Sequence, residues 1–316
     1  MSKRTGNDKQ QQTTAAKTTG DGIFCGADFY DLPEGCIAVV ISFTSARDAC
    51  RLATVSRIFK SAADSDPVWI RFLPADYEAI LARCEEGGTM VVDSKKELYR
   101  RLVERPLIVD GGRKAFRLDK ETGKKCYMIA ARDLRIVWSD TPRYWKWSSL
   151  PESRFSEVAE LISVCWLEIV GKMHTSLFSA GTNYAVYLVF KMTEESYGFH
   201  TAEATVGTAG GERNTMEVLL EPNQGPLERL RLVHRRGRLG RFGPMPSGPA
   251  DGGDEKWPKR RSDGWLEQKL GEFSSYEEGD GEVEVSLLET KVGNWKGGLI
   301  IEGIEFRPVA ASSPGS

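Results

Sequence analysis

Hydrophobic periodicity changes once along this chain. Between residues 29 and 103, apolar side chains recur every three or four positions, the spacing that keeps them on one face of a helix. Ile37, Val40 and Ile41 form one stripe, Ala49, Leu52 and Ala53 a second, and Val55, Phe59, Ala62 and Ala63 a third. The punctuation agrees. Asp31-Leu32-Pro33-Glu34 puts proline at a helix start, where its missing N–H costs least, and Ser45-Ala46-Arg47-Asp48 has the form of a capping box with Asp in place of Glu. Asp66-Pro67-Val68-Trp69 breaks the third helix and supplies a ring to close a small bundle. Two further stripes, Tyr77/Ile80/Leu81 and Leu98/Leu102/Val103, flank Glu85-Glu86-Gly87-Gly88. This stretch reads as a packed helical connector, because it lacks the Gly/Ser content of a flexible linker.

Leu107-Ile108-Val109 followed by Gly111-Gly112 predicts a short strand and a turn, and the domain boundary is placed there. From Leu118 onward the period is two. Leu134, Ile136 and Trp138 share one face. Leu161–Val170 and Tyr184–Met192 are apolar on nearly both faces, as buried strands are. Val283, Val285 and Leu287 alternate with Glu282, Glu284 and Ser286, and Leu299–Arg307 alternates around a Gly303 irregularity that suits a bulge. Many short strands at turn-punctuated intervals predict an antiparallel sandwich. The expected class is therefore α+β in two domains. A tail spans 1–27, a small helical module 28–75, a helical connector 76–112 and a β-sandwich 113–310, with a Gly/Pro-rich surface insertion at about 235–264.

Composition narrows the function. A length of 316 residues exceeds what one core usually serves. No run approaches the ~20 apolar residues needed to cross a bilayer. The first 20 residues carry no apolar h-region and no large apolar residue beyond Met1, which reads as a disordered tail in a cytoplasmic or nuclear protein. The six cysteines are scattered without a C-x-x-C pair, and His174, His200 and His234 lie near none of them, so reduced thiols are expected and no metal site or cofactor. Nor do the histidines have a catalytic partner nearby in sequence. Net charge is −2, which gives no global pull toward nucleic acid. The basic stretch Arg229–Arg241 could hold phosphates, although its interleaved Gly and Pro suit a solvated loop.

The helical module resembles the F-box. The matching features are Leu32-Pro33, the apolar Ile37/Val40/Ile41 positions, Ala46-Arg47-Asp48, Val55-Ser56-Arg57-Ile58-Phe59 and the closing Val68-Trp69. Where that family commonly carries a leucine-rich turn, this chain has Ser42-Phe43-Thr44. The resemblance implies docking on a Skp-type adaptor of a cullin ubiquitin ligase through Leu32, Pro33, Ile37, Val40 and Ile41.

A second resemblance covers about 190 residues. Leu118-Asp119-Lys120, Gly123–Tyr127, Ala131–Leu134, Trp138, Thr141-Pro142, Tyr144-Trp145, Trp147, Glu157–Leu161, Val164–Ile169, Asp263-Gly264-Trp265 and Gly293–Pro308 are similar to the phloem lectin family. That family implies a jelly-roll-like sandwich binding N-acetylglucosamine oligomers or N-glycan cores, with two tryptophans seven residues apart contributing. Here the spacing selects Trp138 and Trp145, though Trp138 suits a core position equally. Trp147, Trp166 and Trp295 are expected in the core. The family's C-terminal glutamates map to Glu282 and Glu289, with Glu284 and Glu278 as alternatives. Together the resemblances imply a non-catalytic substrate-recognition subunit that captures glycoproteins. The alternative is a stand-alone lectin with a non-functional F-box.

Overall fold

The computed structural model describes residues 32–84, 92–199, 201–208, 211–221, 256–275, 281–291 and 293–309. The tail 1–27, Glu85–Gly88, His200, Arg229–Arg241 and Glu278 lie outside them.

Among the described residues six α-helices come first: α1 (Glu34–Ser42), α2 (Ala46–Leu52), α3 (Arg57–Asp64), α4 (Asp66–Phe72), α5 (Tyr77–Ala82) and α6 (Lys95–Glu104). Ser45 Oγ accepts from Asp48 N–H at 3.1 Å and donates to Asp48 Oδ2 at 2.8 Å, which is the expected Asp-type cap on α2. Ser56 and Ser94 cap α3 and α6 by accepting from Phe59 N–H and Glu97 N–H, each at 3.2 Å. These oxygens satisfy first-turn N–H groups that have no partner within their helix. Asp66-Pro67 does end α3, but the chain turns straight into α4, because proline fits a first helical turn. Trp69 closes the bundle as expected: it is buried, and its Nε1–H donates to Ala63 O at 2.7 Å.

The strands form two antiparallel sheets. The larger has nine strands, running β1 (Leu107–Val109), β2 (Lys114–Leu118), β3 (Lys125–Ala130), β14 (Gly297–Pro308), β8 (Thr182–Tyr197), β12 (Leu266–Ser275), β11 (Lys259–Arg260). Its remaining two, β5 (Trp145–Ser148) and β6 (Val158–Leu161), pair with each other, and β6 pairs with β14. The smaller sheet has five, running β10 (Arg213–Leu219), β9 (Thr201–Thr208), β13 (Glu282–Glu289), β7 (Leu167–His174), β4 (Arg135–Ile136). The sheets meet face to face: Ile129 of β3 and Ile304 of β14 crowd Gly171 of β7, and Val206 of β9 faces Gly271 of β12. Val283, Val285 and Leu287 point into this core as their alternation predicts. Gly303 does mark a bulge, where the register of β14 against β8 shifts between Ile301 and Gly303. A Cβ there would lie 2.0 Å from Ile129 O, so only glycine fits.

One turn is as expected, and three readings are corrected. Gly111-Gly112 is the turn of the β1–β2 hairpin, as the strand and turn read over Leu107–Gly112 predict. Leu161–Val170 is two strands rather than one: the chain leaves the larger sheet at Leu161 and joins the smaller at Leu167. Trp138 is not on a strand with Leu134 and Ile136, because β4 ends at Ile136 and Trp138 has φ +61° in the following turn. Of the predicted surface insertion, Lys259–Arg260 is a strand, and Arg261 is half-buried in an ion network.

Candidate functional site

Two surfaces could meet partners. On the helical module, Val39, Val40, Phe43, Val55, Ile58 and Ile70 are exposed, on or beside α1, α3 and α4, which pack together. Phe43 is 70% exposed, and the Arg71 guanidinium lies over its ring at 4.4 Å. Exposed apolar side chains on neighbouring helices make this face a candidate for docking. Two of the expected contacts are corrected. Ile37 and Ile41 are fully buried, because α1 turns that stripe toward α3 and α4 to form the module's own core. Burying each contributes about 1.5–3 kcal/mol. Val40 and Pro33 are exposed, and Leu32 is half-buried against the core. Of the stripe at three-and-four spacing, Ile37 and Ile41 lie on the inward face and Val40 on the outward one.

The second surface is aromatic. Residues 137–144 form successive turns, with Thr141 N–H donating to Trp138 O at 2.9 Å and Tyr144 N–H to Thr141 O at 2.9 Å. Two indoles of β5 hold this loop from beneath: Trp145 Nε1–H donates to Val137 O at 3.1 Å and Trp147 Nε1–H to Ser139 O at 3.0 Å. Trp138 is left 40% exposed, its ring 5.3 Å from that of Tyr144. Tyr144 O in turn accepts from Ile162 N–H at 2.9 Å, and Val137 N–H donates to Glu168 O at 3.1 Å. Those bonds set the loop against the crossover 162–166, where Trp166 is 47% exposed.

A buried lysine fastens the next segment. Val164 and Lys296 exchange backbone bonds of 2.9 and 2.8 Å. Lys296 Nζ donates to Cys165 O at 3.1 Å and Asn294 O at 2.8 Å, with Glu289 Oε1 at 3.6 Å. Holding residues 293–296 this way leaves Trp295 53% exposed. Tyr197 is exposed too, its hydroxyl 2.8 Å from Ser163 Oγ. Four hydrogen-bonded segments therefore leave Trp138, Trp166, Tyr197 and Trp295 exposed, with Tyr144 half-buried beside Trp138.

Among known sequences, the F-box domain profile matches residues 29–71 and the Phloem protein 2 profile residues 124–308. The chain belongs to the phloem protein 2 F-box family. The Arabidopsis thaliana "Putative F-box protein PP2-B2" is 42% identical over 307 residues, covering 96% of this chain and 91% of that protein. "Putative F-box protein PP2-B12" from the same plant is 43% identical over 281 residues, covering 89% of this chain and 98% of that one. Solved structures overlap it only loosely. A family 35 carbohydrate binding module from Clostridium thermocellum is 9% identical over 57% of this chain and 96% of its own, with a TM-score of 0.28, too low to carry an argument.

Within this F-box protein with its lectin-like domain, the expected sugar contacts do not come together. Trp138 is accessible, but Trp145 is 2% exposed and its N–H is engaged, so the ring has no face to offer. Glu282 and Glu289 stand seven apart on one strand and therefore point to opposite faces. Glu282 is exposed, with Lys172 Nζ at 3.9 Å, whereas Glu289 is buried beside Lys296. Glu284 sits 2.9 Å from Lys172 Nζ, and that hydrogen bond lowers its pKa. Trp147 is half-buried, stacked under the Arg132 guanidinium at 3.7 Å. Trp166 and Trp295 correct the expectation that they are core. Trp166 lies in the crossover between sheets, and Trp295 in a turn between Gly293 (φ +66°) and Gly298 (φ +82°). Neither belongs to a strand face.

Proposed function

We propose that this protein is the substrate-recognition subunit of a Skp–cullin–F-box ubiquitin ligase in the cytoplasm or nucleus. The helical module recruits the adaptor, and the lectin-like sandwich captures glycoproteins through N-acetylglucosamine oligomers or N-glycan cores. It is a non-catalytic role. What most supports the reading is the exposure of three indole rings, Trp138, Trp166 and Trp295, on the lectin-like domain. A pyranose has one apolar C–H face, and covering about 80 Å² of it with an indole contributes on the order of 2 kcal/mol. Trp138 replaces Trp145 as the member of the expected pair that can act this way.

On an array of chitooligosaccharides and N-glycans, Trp138→Ala and Trp295→Ala are each expected to lower affinity roughly thirtyfold without shifting the melting temperature. Undiminished binding by both folded variants would sink the sugar reading. The adaptor half is tested separately by co-purification with a Skp-type adaptor. Replacing Val40 and Phe43 by Asp should weaken capture by at least about tenfold, since exposed apolar anchors dominate such interfaces. If the wild-type protein fails to capture the adaptor while still binding sugar, the stand-alone lectin is the correct alternative.

A further inference from the structure

The helical module and the sandwich enclose a cleft of about 560 Å³ that neither half of the proposed function uses. Its walls come from the entry to α2, the turn from α4 to α5, the β2–β3 hairpin and the loop before β8. Five cationic side chains and two carboxylates line it. Both carboxylates are already engaged, Glu121 by Arg47 at 3.2 Å and Asp76 by Lys125 at 2.7 Å. Arg71, Lys120 and Lys124 remain, and none has a carboxylate partner among the described residues. The cleft therefore holds an excess of positive charge between two domains.

A second observation points to a ligand. Tyr99 lines the same cleft from α6 and is only 7% exposed. Its hydroxyl sits against Gly123 of the hairpin and has no hydrogen-bond partner among the described residues. A hydroxyl with no protein partner, on a ring held by its surroundings, is free to donate to a ligand oxygen that enters the cleft. Burial also pushes the phenol up to about 12, which keeps the donor proton in place. The hairpin is itself preorganised. Asp119 Oδ2 accepts from Glu121 N–H at 3.2 Å and Thr122 N–H at 2.8 Å, and Gly123 takes φ +68° to close the turn carrying Lys120 and Lys124.

We propose that this cleft binds a compact polyphosphate-bearing small molecule, held by Arg71, Lys120 and Lys124 with a hydrogen bond from Tyr99. The volume is that of a small-molecule site, and convergent Lys and Arg groups make charge-assisted bonds to phosphate oxygens. Such a ligand touches the F-box module and the lectin-like domain at once and fixes their junction.

The test uses the intact protein and inorganic tripolyphosphate, followed by calorimetric titration and thermal unfolding, with sodium chloride matched for ionic strength as the reference. Saturable binding, a raised melting temperature and weaker affinity at higher salt are expected. The double variant Lys120→Ala/Lys124→Ala should melt like the wild type without ligand and bind at least about tenfold more weakly. Tyr99→Phe should bind several-fold more weakly. No saturable binding overturns the proposal. So does binding that survives Lys120→Ala/Lys124→Ala but disappears when Arg235, Arg236 and Arg238 are neutralised, which would place the anion on the basic stretch. Tighter binding of a poly-glutamate peptide than of tripolyphosphate also overturns it, in favour of an acidic protein segment.

Discussion

Trp145→Ala is expected to lower the stability of the sandwich by roughly 3–5 kcal/mol, the range for removing a large buried aromatic side chain. The ring is 2% exposed, belongs to the central hydrophobic core and gives its N–H to Val137 O. Its loss leaves a cavity under β5 and an unpaired carbonyl at the start of the Trp138 loop. For a domain of this size that is a fall in melting temperature on the order of 10 °C. Sugar binding should fall as well, but only because Trp138 loses its support. Calorimetry separates the two effects: a variant that melts like the wild type yet no longer binds would return Trp145 to the ligand contacts. By contrast Trp295→Ala, on a ring that is mostly in solvent, should leave the melting temperature within about 2 °C.

That contrast shows where the sequence was legible. The helices announce themselves because side-chain caps and three-and-four spacing are local: Ser45, the Ile37/Ile41 stripe and the closing Trp69 all behave as their neighbours dictate. Strands with strict alternation, such as β13, are equally readable. What a local pattern cannot carry is a change of sheet. LISVCWLEIV is apolar throughout, and nothing in its spacing says that Leu161 ends in one sheet while Leu167 begins in the other. Trp166 is exposed because it falls in that crossover. Trp295 was readable in principle, since Gly293-Asn294-Trp295-Lys296-Gly297-Gly298 has the glycines of a turn, and a tryptophan in a turn has no core face assigned to it. The buried Lys296 that holds the turn in place finds its partners, Cys165 O above all, 131 residues away in sequence. A seven-residue spacing was informative for the pair Trp138 and Trp145 only as a family likeness. Read as geometry, it places a loop ring above a strand ring that braces it.

The ion network around Glu305 was equally hidden, because its members come from five separate segments, and it yields the other large effect. Glu305 is 2% exposed, yet Arg261 Nη1 lies 2.5 Å from Oε2, and Arg117 Nη2 and Arg154 Nη1 each lie 3.6 Å from Oε1. Arg261 also meets Glu267 at 3.1 Å, and Glu267 meets Arg307 at 3.0 Å. Burial alone would raise the Glu305 pKa; the surrounding guanidinium groups, Arg261 first, override it and hold the carboxyl at about 2. Glu305→Ala removes a buried anion that Arg117, Arg154 and Arg261 share, and should cost about 3–5 kcal/mol at neutral pH, as breaking a buried pair does. The pH dependence has a definite sign. The folded pKa lies below the ordinary carboxylate value of 4.5, so the unfolded chain binds the extra proton first. The stabilisation is thus complete above pH 4.5 and is lost as pH falls toward 2. Neighbouring Glu302 titrates the opposite way, since burial raises its pKa. Urea denaturation of wild type and Glu305→Ala between pH 7 and pH 2 should therefore show a stability gap that closes by roughly 3 kcal/mol on the acid side. A gap that stays constant with pH would mean that the variant acts through lost packing, and that the charge of Glu305 does not hold Arg261, and with it the end of β11, against the sheet.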